Sequence, residues 1–417
     1  MRMNRLVAAA AVAALVAPLA TPALRAQTIA ITGGKVYPVS GPVIENGTVL
    51  IENGRITAVG SNVTVPAGAR RIDATGKWVT PGLINSGTVL GLQEIGAVAS
   101  TRDAAAKGKD GIAAGFRAAD GLNPESMLIP PTRKDGITTV VILPQGGLIA
   151  GQAGVIDLVS GTASDMLLRP SVAMLGEVGD AAQAQLGARG ELIARLRELF
   201  EDTRTYQHTR TAFERNQSRP FVATRLDLEA MIPVIEGRLP LLVAADKASD
   251  IDAALTLAKQ YNLKIMIGGG AEAWMVADKL AAAKVPVLTG AMNNVPTSFT
   301  TLGQRQENAA LLRKAGVTVA LIGNAEGGDE EAFNARNIRY EAGNAVAYGM
   351  PWDEALRAVT LAPAQMFGVA DKVGSLQAGR EANVVVWSGD PFEFATVPEH
   401  VLVRGREYNE PTRQDLL

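Results

Sequence analysis

The sequence predicts an α/β fold: a (β/α)8 barrel carried on a small β-sandwich that is assembled from both ends of the chain. Three observations lead there. β-type segments occupy the region after the N-terminal stretch and return near the C-terminus. Between them, short apolar runs alternate with amphipathic helices. That repeating middle is long enough for a closed barrel, for which about 250 residues is typical. At 417 residues, 47% hydrophobic and 20% charged, the chain can bury a core of this size, which excludes disorder along its whole length.

The first 26 residues have the pattern of a secretory signal peptide. A basic start (MRMNR) precedes an apolar, alanine-rich run over residues 6–20, and small residues with Pro22 lead to Ala26. The run is too short for a membrane anchor. A secreted, periplasmic protein is expected. The formal net charge is −2, which supplies no electrostatic reason to bind nucleic acid or an anionic membrane.

Residues 27–79, with 374–417, make up the predicted sandwich. TIAITGGKVYPV and GTVLIENGRITAVG are apolar or alternating, and Asn53-Gly54 interrupts the second segment. Asn-Gly between apolar runs signals a tight hairpin, because both central positions favour positive φ. Residues 80–373 make up the barrel. TTVVILP, LPLLVAAD, LKIMIGGG, PVLTGA and VTVALIGNA read as buried strands of a parallel sheet. SDIDAALTLAKQYN, EAWMVADKLAAAK and RQENAALLRKAG read as the intervening helices. Ser249 and Asp252 suggest a capping-box-like start to the first of these. A charged helical stretch near 190–220 reads as an insertion: a lid, a contact surface or a solvated helix. Gly268-Gly269-Gly270 reads as a tight strand-to-helix turn or as an anion cradle.

Composition narrows the chemistry. With no cysteine and two histidines, the chain has no thiolate nucleophile, no disulfide and no histidine-rich metal centre. It also lacks a Gly-x-Ser-x-Gly elbow, a phosphate-binding Gly-Lys-Ser/Thr loop and a dinucleotide-binding glycine fingerprint.

Two segments carry a family resemblance. RIDATGKWVTPGLIN resembles the stretch that leads the amidohydrolase superfamily from its β-sandwich into the first barrel strand. AVTLAPAQMFGVADKVGSLQAGREANVVVWSGDP resembles its closing segment. The matching positions are Thr360, Pro363, Ala364, Gly368, Gly374, Ser375, Leu376, Gly379 and Ala382, with Asn383 where an aspartate is usual. The chain is most similar to the imidazolonepropionase-like branch. The resemblance implies a TIM-type barrel that hydrolyses non-peptide C–N bonds in cyclic amides and related compounds. It also implies zinc or another divalent metal held at the C-terminal strand ends.

The same resemblance exposes what is missing. Where the family has D-x-H-x-H, this chain reads Asn85-Ser86-Gly87-Thr88-Val89, so Gly87 and Val89 stand at two histidine positions. A third falls on Ala244 and a fourth on Gly268 or Gly269. The bridging lysine or acid falls near Asp157, and the catalytic aspartate is matched by Asn324. His208 lies in the charged helical stretch and His400 in the predicted sandwich, both away from the barrel mouth. No cofactor is assigned with zinc's ligands lost in this way.

The alignment brings Asn85, Thr88, Glu94, Asp157, Asp246, Glu272, Asn293, Asn324 and Glu326 towards the mouth as candidate pocket-lining residues. Three readings stay open. The first is a degenerate, non-catalytic member that binds a small-molecule ligand or a partner, as a homo-oligomer or beside an active relative. The second is a hydrolase with a rewired oxygen-ligand metal site on Asp157, Asp246 or Glu272. The third is a metal-free enzyme that uses carboxylates such as Asp157 and Glu272 as acid and base.

Overall fold

The structure is a computed structural model describing residues 28–292, 296, 298–323, 331–409 and 411. The predicted signal peptide lies outside the described residues.

The N-terminal β segments form β1 (Ile29–Val36), β2 (Ile44–Glu52), β3 (Arg55–Gly60), β4 (Arg70–Asp73) and β5 (Trp78–Pro81). The barrel strands are β6 (Leu83–Thr88), β7 (Ile137–Ile142), β8 (Ile149–Asp157), β9 (Leu167–Glu177), β10 (Leu241–Ala245), β11 (Ile265–Gly269), β12 (Val287–Thr289) and β13 (Val319–Leu321). The chain then returns to the first unit as β14 (Val384–Trp387), β15 (Pro398–Val403) and β16 (Arg406–Glu407).

The terminal segments form one hydrogen-bonded sheet, ordered β16-β15-β14-β5-β1-β2-β3, with β4 also paired to β1. It curls on itself, so Ile31, Val49 and Ile56 share a buried core with Val384, Val386 and Leu402. The two layers of the expected sandwich are thus continuous through the β5–β1 pairing. Asn53 and Gly54 form the β2–β3 turn with φ of 52° and 76°, the geometry that an Asn-Gly pair favours.

The second sheet has eight strands in sequence order from β6 to β13. It is a nearly closed barrel with one departure from the all-parallel expectation. β8 runs antiparallel to both β7 and β9. Instead of a helix, the turn over residues 143–148 follows β7, and Gly146 and Gly147 adopt φ of 86° and 74° in it. Strands β9 to β13 are parallel. Ile84, Val141, Ala153, Ala173, Leu242, Met266, Leu288 and Ala320 project from the successive strands into one buried interior cluster. Ala364, Phe367, Val369 and Val373 join that cluster and close the floor.

The helices, in chain order, are α1 (Ile129–Lys134), α2 (Ala163–Met166), α3 (Asp180–Leu186), α4 (Arg189–Glu214), α5 (Arg225–Ile235), α6 (Ala248–Tyr261), α7 (Ala277–Ala283), α8 (Asn308–Lys314), α9 (Glu331–Asn334), α10 (Ile338–Ala347), α11 (Trp352–Ala358) and α12 (Leu361–Met366). The charged stretch near 190–220 is mainly α4, which packs against α5 and α6. Leu192, Leu196, Leu199 and Phe200 recur at helical spacing and are fully buried, so the helix belongs to the outer wall. None of the described helices is long and apolar enough to cross a membrane.

The start of α6 differs from the capping-box reading. The helix begins at Ala248 with Lys247 at the N-cap, and no side chain of the cap residue bonds to it. The Glu272 carboxylate accepts the Ala248 N–H at 2.9 Å instead. A distant acid supplies the cap that local sequence suggested Ser249 would supply.

The two units meet tightly. Trp387 is fully buried and donates from Nε1 to Thr80 Oγ1 at 2.8 Å. Gly136, at φ 88°, faces its ring: a Cβ there would lie 2.3 Å from Trp387.

Candidate functional site

The reversal of β8 decides which acid reaches the barrel mouth. The C-terminal ends of the parallel strands define the mouth, so the C-terminal end of an antiparallel strand lies at the floor. Asp157 ends β8 and is paired in register with Thr139 near the start of β7. Its carboxylate accepts hydrogen bonds from Thr139 Oγ1 (2.7 Å), Asn383 Nδ2 (2.9 Å) and Arg404 Nε (2.8 Å). Asp157 is therefore not a mouth residue, which corrects the sequence-based placement. The strand after it, β9, ends at Glu177, and Glu177 stands beside Ala244 in the β9–β10 register. Glu177, not Asp157, is thus the acid at the strand end beside Ala244.

Glu177, Ala244 and Gly268 are register neighbours across β9, β10 and β11. A cavity of about 300 Å³ opens beside them, lined by Glu177, Asp246, Thr289, Thr300 and Asn308 among others. Burial pushes the Glu177 carboxyl above its usual range, and nearby Asp246 and Asp180 add to the effect against N–H bonds from Ala182 and Ala181. Burial likewise raises Asp246, opposed by the Ala271 N–H. Both carboxyls thus hold protons more tightly than free side chains do, because the charged form loses solvation. Asp180, at the rim, is lowered, chiefly by the Thr300 hydroxyl donating to it at 2.6 Å. Arg189 ties Asp180 to Asp250. Arg305 stacks 4.8 Å from Trp274 and pairs with Glu307.

The other candidates have structural partners. Asn85 is buried near the open seam between β6 and β13. It donates to Ala335 O at 3.0 Å and accepts from Gly87 N at 3.1 Å. Thr88 is buried and accepts from Leu90 N at 3.1 Å. Glu94 sits in the long loop after β6 and accepts from Asn123 at 3.3 Å, away from the cavity lining. Glu272 is 8% exposed, and its oxygens hold Ala248 N–H and Gly303 N–H at 2.9 and 3.0 Å. Asn293, Asn324 and Glu326 lie outside the described residues. Asp246 is the described candidate that lines the cavity; Glu177, Thr289, Thr300 and Asn308 escaped the sequence reading. The signal for Glu177 was an acid directly after the apolar run SVAMLG, obscured because β8 was not recognised as reversed.

The triple glycine forms a tight turn. Gly269 and Gly270 have φ of 81° and 63°, and Asp246 occupies the anion position, accepting Ala271 N–H at 3.2 Å. His208 is exposed on α4. His400 Nδ1 lies 2.6 Å from Glu407 Oε1 on the terminal sheet.

The residues present do not fit the family's zinc. Ala244 and Gly268 carry no donor atom. At position 87 a side chain would meet Leu143: a Cβ on Gly87 would lie 2.8 Å from Leu143 Cδ1, which would have to turn aside, and 3.5 Å from Ile322 Cγ2. Val89 is buried in the apolar core between barrel and helices. Among the described residues, no group of three or more His, Asp or Glu is spaced to hold a metal ion. What remains is a pair of buried carboxyls with raised proton affinity beside hydroxyl and amide groups. That arrangement can accept hydrogen bonds from a ligand or move a proton.

Comparison with known proteins agrees with the scaffold. The family model described as "Amidohydrolase family" matches residues 255–408. The amidohydrolase tasK of Hapsidospora irregularis is 24% identical over 399 residues, covering 88% of this chain; the chain spans 40% of that protein's length. An imidazolonepropionase of Pseudomonas paraeruginosa is 27% identical over 388 residues, covering 85% of this chain and 90% of its own. Among solved structures, an amidohydrolase from Thermotoga maritima superposes with a TM-score of 0.82 at 26% identity, covering 92% of this chain and 100% of its own. With its curled terminal sheet, its barrel and these relatives, the chain is similar to the amidohydrolase superfamily and, within it, to the imidazolonepropionase-like branch.

Proposed function

We propose that this chain is a degenerate amidohydrolase that binds a small molecule at the barrel mouth without the family's metal-assisted hydrolysis. One observation carries the reading: position 87 has no side chain to give a metal, and the Leu143 side chain leans into the space one would take. Catalytic zinc normally needs three protein ligands, and Gly87, Ala244 and Gly268 offer none. The cavity next to Glu177 and Asp246 suits a ligand rich in hydrogen-bond donors. A secretory leader over residues 1–26 would deliver the protein to the periplasm, there to act alone or beside an active relative. Fractionation with N-terminal sequencing tests that part.

The test of the main reading is elemental analysis of the purified protein alongside a hydrolysis screen of cyclic amides and a thermal-shift screen of small ligands. The expected result is no stoichiometric divalent metal, no turnover, and a ligand shift abolished by Ala244→Phe. Chelator-sensitive turnover with bound metal would overturn it.

A second reading is favoured by the raised affinities for protons at Glu177 and Asp246: the two act as a metal-free acid and base. Turnover that is indifferent to chelators and lost in Glu177→Gln would establish that reading in place of the first.

A further inference from the structure

At the barrel floor, remote from the mouth, three segments distant in sequence bring charged groups into one cluster, in which Asp157 is buried and Arg404 and Glu381 are partly buried. Asp157 is fully buried at the end of β8. Arg404 reaches it from the β15–β16 turn of the terminal sheet, where its backbone adopts φ 48°. Arg404 Nε donates to Asp157 Oδ2 at 2.8 Å and lies 2.9 Å from Glu381 Oε2. Its Nη1 donates to Asp165 O at 2.7 Å, and its backbone N–H donates to Asn383 Oδ1 at 2.8 Å. Asn383 turns its Nδ2 to Asp157 Oδ1, so one amide serves both partners; a carboxylate there could only accept.

The charges do not cancel. Asp157 and Glu381 face a single guanidinium. The Asp165 carboxylate is occupied by Thr162. Arg133 donates to Leu158 O and stacks on Tyr408, and Arg55 donates to Gly379 O. Thr139 faces Asp157 as a neutral donor. Arg404 Nη2 and Glu381 Oε2 are buried without an aligned hydrogen-bond partner. Of the two carboxylates, Asp157 is the fully buried one, and keeping it ionised beside a guanidinium shared with Glu381 is costly until a proton neutralises it.

We propose that Asp157, Arg404 and Glu381 form a proton-operated latch between the barrel floor and the terminal sheet. With Asp157 ionised, Arg404 Nε is shared between two carboxylates. When Asp157 takes a proton from solvent, the guanidinium belongs to Glu381 alone and the cluster is neutral. Burial is the main cause that pushes the Asp157 carboxyl up to about 6, against the pull of Arg404 and Thr139. Because the folded value lies above the unfolded one, the native state binds the proton more tightly. The stabilisation is fully present below the ordinary aspartate range and is lost as pH rises through about 6.

The experiment compares urea unfolding of the purified protein at pH 5 and pH 7.5 with that of Asp157→Asn, following amide exchange in residues 398–407. In the native protein the folding equilibrium constant at pH 5 should exceed that at pH 7.5 by a factor of about 10 from this group, with slower exchange in that segment after correction for the intrinsic rate. Asp157→Asn should lack this component. Glu381→Gln leaves Asp157 as the sole partner of Arg404 and should move the transition to lower pH, which keeps a reading available if Asp157→Asn fails to fold. The same pH dependence in the native protein and in Asp157→Asn, or a transition unmoved by Glu381→Gln, overturns the latch.

Discussion

Leu143 occupies the space into which a side chain at position 87 would project: a Cβ on Gly87 would lie 2.8 Å from Leu143 Cδ1. The residue after β7 therefore seals the part of the mouth where the resemblance places a histidine. Introducing one should overpack the site. Gly87→His alone should lower stability by about 1–3 kcal/mol, as overpacking commonly does. Combining it with Leu143→Ala should recover part of that loss. Urea midpoints of the two variants read the effect, and an uncoupled pair would show that Leu143 is not the obstruction.

Glu177 and Asp246 share the mouth cavity, and burial raises both. Their folded values exceed the unfolded ones, so each favours folding below the ordinary carboxylate range and loses that contribution as pH rises through its elevated value. Glu177→Gln removes one titration and should flatten the fall in stability with rising pH above that range. Thermal unfolding across a pH series measures the slope, which should change little if the carboxyl is freely solvated.

Glu272 acts at a distance in sequence by holding the N–H groups of Ala248 and Gly303. Glu272→Ala would leave these N–H groups without that partner in a partly buried setting, at a cost of about 1–3 kcal/mol. Hydrogen exchange should quicken first at the start of α6 and around Gly303. Uniform loss of protection along the chain would contradict so local a role.

Gly136 combines φ 88° with a Cβ direction that points 2.3 Å from the buried Trp387 ring. Because alanine is strained at this φ, Gly136→Ala should destabilise the fold by more than about 1 kcal/mol. The matching readout is Trp387 fluorescence during unfolding, with a red-shifted native emission if the ring is displaced.

The scaffold was legible because its signals are local. The Asn53-Gly54 hairpin, the apolar runs of β10, β11 and β13, and the closing segment from Thr360 to Ala382 all stand in the sequence. The candidate site was less legible. Asn85, Thr88 and Glu272 are polar residues near strand ends, which is why the alignment brought them to the mouth. Their hydrogen bonds are spent on backbone groups from distant segments, and no local pattern announces those partners.

The sequence by itself determined that no histidine-rich centre exists here: its two histidines are too few, and Gly87 and Ala244 carry no donor wherever they fall. Only the tertiary structure decided which acid reaches the mouth. Side chains alternate along a strand identically in either direction, so GQAGVID reads the same as a parallel or an antiparallel strand. Its pairing with β7 and β9 reverses it. That reversal sends Asp157 to the floor, where it meets Arg404, and leaves Glu177 at the mouth beside Ala244.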